Sequence, residues 1–193
     1  MTTGGWQIVG KRYWIVALLL LFVLPELQTQ AVNPIPGKKL TALDFKGDPD
    51  PGSQYLARTY VKISYAYYDP KNCIVPGKVK LTVDVNAVMS DRSWMKTNMA
   101  KRWGQLEELL SHEQGHYDIF QLFAARLQRT MEKSCFNKKN YTWEIDSVYK
   151  SMNRFYDSLQ LTYDAETNHM RNKEMQVKWK KKITDMRNSP DQP

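Results

Sequence analysis

Three histidines occur in the 193 residues, and two of them stand four apart in His112-Glu113-Gln114-Gly115-His116. Four residues make about one turn of an α-helix, so both imidazoles project from one helix face and can grip a single metal ion. Glu113 adjoins them, placed to take a proton from a metal-bound water. The third histidine, His169, lies far down the chain and is free to complete a three-ligand site. Catalytic zinc takes three protein ligands and leaves a fourth position for water. The pKa of that water falls from about 15.7 to about 7, so a nucleophile exists at neutral pH, and Glu113 can hand its proton to a leaving amine. The pattern predicts a zinc-dependent metallopeptidase with His112, His116 and His169 as ligands and Glu113 as general base. Substitution Glu113→Gln should then keep the metal and remove turnover.

The third ligand must come from outside the motif helix. An H-E-x-x-H-x-x-G-x-x-H arrangement would need glycine and histidine where the chain has Ile119 and Leu122. His169 is the first choice, Glu166 the alternative third ligand, and Asp164 follows. Asp118 is disfavoured as a ligand, because two residues past His116 it is turned about 200° around the helix. Tyr156 or Tyr163 could stabilise a tetrahedral oxyanion, although ordinary packing is the simpler role for each.

The elements that must carry these groups read as follows. Residues 57–67 are rich in β-branched and aromatic side chains, and residues 78–89 alternate Val79, Leu81, Val83 and Val85 against polar neighbours, so two strands are expected. Between them, residues 69–77 form a turn region. One long helix is expected over about 98–133, with Leu109, His112, His116, Ile119, Phe123 and Leu127 on its core-facing side. Gly115 inside it costs roughly 1 kcal/mol relative to alanine, which implies that something packs closely there. A second helix is expected over about 142–161 and a last one over about 173–186, with residues 163–169 leading into it. The strand at 79–85 is expected to border the cleft, where an extended peptide could add to its edge. These elements describe an α+β, zincin-like domain: a short antiparallel sheet, then the active-site helix, then a helical C-terminal half.

The chain's 42% hydrophobic and 12% aromatic content suffices for one core. Lys11 and Arg12 precede an uncharged run over 13–24. At about twelve residues it is short for a membrane span of roughly twenty and suited to a signal peptide. Residues 1–31 are therefore expected to be a signal peptide, or else an N-terminal anchor. A Pro/Gly-rich lead-in follows at 32–53, the metallohydrolase domain at 54–187 and a flexible tail at 188–193. Export implies a periplasmic or extracellular location, with inner-membrane anchoring as the alternative, and membrane contact only through the N-terminal segment. Export also makes a disulfide between Cys73 and Cys135 the expected state of the only two cysteines, worth typically about 2–4 kcal/mol. The net charge of +8 gathers partly at Lys178, Lys180, Lys181 and Lys182. Because Val177, Trp179 and Ile183 interleave with them at helical spacing, a solvated helix face is expected there, with weak attraction to anionic envelope polymers but no nucleic-acid partner.

The stretch Leu110-Ser111-His112-Glu113-Gln114-Gly115-His116-Tyr117-Asp118-Ile119, with Ala124-Ala125-Arg126-Leu127 after it, resembles a bacterial family described as predicted secreted zinc-dependent proteases and also classed as a domain of unknown function. Residues 40–47, Ser93-Trp94, residues 163–169, Gln176 and Trp179 agree with it too, so the resemblance spans roughly 38–187. It implies His112 and His116 as zinc ligands, Glu113 as catalytic, and a bacterial envelope or extracellular site. Met170 follows His169 where that family has a glycine. The expected partner is a peptide or protein substrate. Two other classes share the same motif: a hydrolase of cell-wall peptide cross-links, and a non-catalytic metal-stabilised binding module.

Overall fold

The computed structural model describes residues 37–189. The signal-peptide expectation at 1–31 and the first residues of the lead-in lie outside the described residues, as does most of the expected tail. After a 3-10 turn at Ala42–Asp44, the chain forms β1 (Ala57–Arg58), β2 (Val61–Asn72), β3 (Lys78–Met89), β4 (Trp94–Met95), α1 (Thr97–Arg102), α2 (Leu106–Lys133), β5 (Phe136–Asn137), α3 (Tyr141–Thr167) and α4 (Lys173–Asn188). The result is an α+β domain with two small antiparallel sheets, one of β1 and β4 and one in the order β2-β3-β5. No helix among the described residues is long and apolar enough to cross a membrane.

The period-two pattern of β3 turns Val79, Leu81 and Val83 inward, which is what alternation requires of a strand with one wet face. These side chains pack against α2 and share one core cluster with Ile119, Phe123 and Leu127 of α2 and with Tyr156, Trp179 and Ile183 of α3 and α4. A second, smaller cluster joins Ala57, Met95, Ala100, Leu109 and Met170. The two clusters flank the helical turn that carries the histidine pair, so α2 is fixed on both sides. Cys73, just past β2, is bonded to Cys135, just past α2. The disulfide thereby ties the hairpin to the far end of the motif helix.

β2 runs on to Asn72, into the turn region expected over 69–77, and three further boundaries differ from the sequence expectation, each for a local reason. The single helix expected over 98–133 is two, because Gly104 takes the left-handed conformation at φ 66° that commonly ends a helix. The strand expected over 57–67 is interrupted at Thr59 and Tyr60, where the backbone passes from one sheet to the other; Tyr60 N donates to Ser93 Oγ at 3.0 Å. The helix expected to stop near 161 runs on to Thr167, because Tyr163 and Thr167 continue its buried stripe. That last extension decides the composition of the site.

Candidate metal centre

His112 and His116 project from one side of α2 with their Nε2 atoms 3.2 Å apart. Each ring is fixed from behind. The Nδ1 of His116 lies 2.6 Å from Oε1 of Gln160 on α3, and the Nδ1 of His112 lies 3.3 Å from Oε1 of Gln176 on α4. An amide oxygen only accepts, so each Nδ1 carries a hydrogen and each Nε2 faces the cluster. Outer partners of this kind fix the tautomer and orientation of metal-binding histidines.

Tyr163 packs against the same turn. Its ring stacks on His112 with centroids 4.9 Å apart, and its hydroxyl donates to the His112 carbonyl at 3.0 Å. A Cβ on residue 115 would collide with this ring and hydroxyl, so only glycine fits beneath Tyr163. Neither tyrosine considered for the oxyanion faces the cleft: Tyr156 and Tyr163 are both 2% exposed and belong to the main core.

The rest of the cluster comes from the end of α3. Oδ1 of Asp164 lies 3.1 Å from His112 Nε2 and 3.0 Å from His116 Nε2. It also lies 3.2 Å from Nδ1 of His169. Ligand atoms of His112, Asp164 and His169 fall within 4.8 Å of one another. His169 reaches this point because α3 ends abruptly: Asn168, His169 and Met170 all have left-handed backbones, at φ 47°, 47° and 78°. Such conformations cost free energy in non-glycine residues and persist only where surrounding contacts enforce them. Here the His169 N–H bonds the Asp164 carbonyl at 3.1 Å, the Met170 side chain is buried in the smaller cluster, and the His169 ring meets Tyr55 at 4.9 Å. Met170, which stands where a glycine was expected, therefore holds a glycine-like conformation by burying its side chain.

Glu166, the alternative third ligand, does not join the cluster. Its Oε2 accepts a hydrogen bond from Trp179 Nε1 at 2.7 Å. Two residues along a helix is a rotation of about 200°, so Asp164 and Glu166 leave α3 in nearly opposite directions. Asp164, ranked below Glu166 on sequence, is the carboxylate that meets the histidines.

The electrostatics agree with a site that holds positive charge. Burial opposes ionisation of Asp164, but hydrogen bonds from His112 and His116 outweigh it and hold the carboxyl well below the usual carboxylate range. Burial likewise opposes a charge on His116, yet the hydrogen bond to Asp164 and the nearby Glu113 carboxylate raise its pKa. Protons alone satisfy this geometry poorly. A proton on each Nε2 would put two positive groups 3.2 Å apart. One divalent cation in place of the two Nε2 protons removes that repulsion. Atoms bound tetrahedrally to zinc at about 2.0–2.1 Å lie about 3.3 Å apart, close to the 3.0–3.2 Å separations among His112, His116 and Asp164. The residues thus fit a divalent metal of the zinc type.

Glu113 is 4% exposed, and its Oε2 accepts from the Thr59 hydroxyl at 2.5 Å. Thr59 belongs to the stretch 54–59, which with Asp157, Gln160 and Leu161 of α3 and with Trp103 and Phe120 lines a cleft of about 740 Å³. His112, Glu113, His116, Asp164 and His169 all open into it. The strand expected at 79–85 does not border this cleft. β3 lies between β2 and β5, and farther along α2 reaches it through glutamines: Val85 N donates to Gln128 Oε1 at 3.3 Å, and Gln121 Nε2 donates to the Ala87 carbonyl at 3.0 Å.

Sequence reasoning missed Thr59, Gln160 and the role of Gln176. Each is a common polar residue that acquires its part only by meeting a histidine or Glu113 across 44 to 64 residues of chain. Spacing within the sequence holds no signal for such a contact.

The chain is thus an α+β domain whose motif helix is buttressed by two further helices, with a histidine–carboxylate cluster in a cleft that could hold a metal ion. It belongs to a family described as bacterial protein of unknown function (DUF922), whose model matches residues 33–170. That span takes in every member of the cluster and stops short of Gln176 and Trp179. No curated protein and no solved structure matches the chain.

Proposed function

We propose that this protein is an exported zinc-dependent peptidase with a zincin-like arrangement, in which His112, His116 and Asp164 hold the ion, His169 stands beside Asp164 as a further donor at the rim, and Glu113 is the general base. The observation that carries the reading is the pair of Nε2 atoms 3.2 Å apart, both with Nδ1 tied to glutamine oxygens, in a cleft that also exposes the glutamate of the same motif. Zinc held there would supply Lewis acidity and lower the pKa of nearby water. The chain's own part is as follows. Glu113 takes the proton from the attacking water and returns it to the leaving nitrogen. Thr59, hydrogen-bonded to Oε2, holds that carboxylate in one orientation and leaves Oε1 to do the transfer. The cleft admits an extended peptide beside residues 54–59, where Tyr55, Leu56 and Trp103 offer apolar surface.

A second reading has one observation in its favour. A fourth donor, His169, lies 3.2 Å from the Asp164 oxygen, and closed four-ligand sets are typical of structural zinc. Incubating the mature protein with a mixed peptide library and with peptidoglycan, alongside Glu113→Gln, separates the readings. A peptidase cleaves the library, and Glu113→Gln lowers turnover by about 10²–10⁴-fold with zinc content unchanged. A cell-wall peptide hydrolase cleaves only peptidoglycan. Absence of cleavage in both, with zinc bound, would contradict the enzymatic reading and leave the structural one.

A further inference from the structure

Of the sequence stretches singled out at the start, 124–127 plays no part in the metal cluster, and its charged member occupies an unusual position. Arg126 lies on α2 ten residues beyond His116, about 15 Å further along the axis. It is 9% exposed, and its Nε is buried without a hydrogen-bond partner. The guanidinium lies beside the Tyr156 hydroxyl, a neutral group that supplies no counter-charge. Among the described residues Arg126 forms no ion pair. A largely buried guanidinium that has no counter-charge among the described residues and faces a cavity favours an anion there.

A cavity of about 340 Å³ opens over Arg126, and α4 supplies its other wall with Lys178, Lys181 and Lys182. The one acidic residue in that wall, Asp185, is held by Lys181 Nζ at 2.6 Å. Lys178 is shared with Glu174 at 2.7 Å. Lys182 has no carboxylate: its ammonium rests over the Trp179 ring at 4.0 Å. Two cations from different helices, one fixed by burial and one by an aromatic face, therefore converge on one cavity with their charge uncompensated. A guanidinium fork matches the oxygens of phosphate, and a tetrahedral anion can accept from several directions at once. This cavity shares no lining residue with the metal cleft.

We propose that the cavity between α2 and α4 binds a phosphate group, with Arg126 as its buried anchor and Lys182 as the second cation. The proposal stands apart from the peptidase reading, since neither needs the other. Its test is thermal unfolding and calorimetric titration of the full chain with inorganic phosphate, at ionic strength held constant with chloride. The wild type is expected to bind phosphate saturably and to show a rising Tm. Arg126→Met is expected to lose both responses, and Lys182→Gln to bind several-fold more weakly. Arg126→Met removes an unpaired buried charge, so it should be at least as stable as wild type in chloride, and Lys182→Gln lies on the surface and leaves the core untouched. A second arm finds the source of the group. Recruitment to phosphatidylglycerol vesicles but not to phosphatidylcholine vesicles, displaced by free phosphate, assigns it to a lipid headgroup; a phosphate response without such recruitment assigns it to a soluble phosphate. No saturable phosphate response in wild type, or an equal response in both variants, overturns the proposal.

Discussion

His112 and His116 stand on one regular turn of α2, whereas Asp164 and His169 straddle the end of α3 and a run of three left-handed residues. The first pair is placed by helix periodicity alone. The second is placed by where a helix happens to stop and by what holds the strained turn behind it. Both reach the same point, yet the α2 side is buried and buttressed while His169 keeps 42% of its side chain exposed. The contrast teaches that a candidate metal cluster can combine a half placed by helix geometry with a half whose position depends on tertiary contacts.

If this division is right, substitutions should be ranked by the half they touch. His112→Ala and His116→Ala should weaken zinc binding the most, well beyond the 10–100-fold typical of outer-sphere changes. His169→Ala should weaken it less than either, as measured by competition with a chromogenic chelator. Equal losses at all three positions would erase the distinction. Next come the residues behind the rings: Gln160→Ala and Gln176→Ala should each cost about 10–100-fold in zinc affinity, with little change in the circular dichroism spectrum.

The comparison sharpens on two carboxylates of one helix. Glu166→Ala leaves the buried Trp179 N–H without its acceptor, so it should lower stability by about 1–3 kcal/mol and leave zinc content intact. Zinc lost from this variant would mean that Glu166, not Asp164, serves the ion. Smallest is Asn168→Gly, which puts the residue best suited to φ 47° at the end of α3. It should stabilise by about 0.5–1 kcal/mol in urea unfolding if the left-handed turn stores the strain ascribed to it.

The same contrast explains what the sequence made legible. The α2 pair needs only four-residue spacing, and the close packing implied by Gly115 is met by Tyr163. The cysteines allowed one pairing, and Cys73–Cys135 is formed. The strand over 78–89 follows from clean alternation. By contrast, the choice between Asp164 and Glu166 turns on rotation about α3. A segment read as a connection gives no helical phase, and the polar run 164–168 masked a helix whose buried face continues through Tyr163 and Thr167. Thr59 and the two glutamines were invisible because their partners are set by packing between distant segments.

The most direct test is a zinc-edge anomalous difference map from crystals of the zinc-loaded protein. The account predicts a single strong peak within about 2.0–2.2 Å of Nε2 of His112, Nε2 of His116 and a carboxylate oxygen of Asp164. A map with no peak between these groups, or a zinc bound through α2 alone while Asp164 points elsewhere, would contradict it.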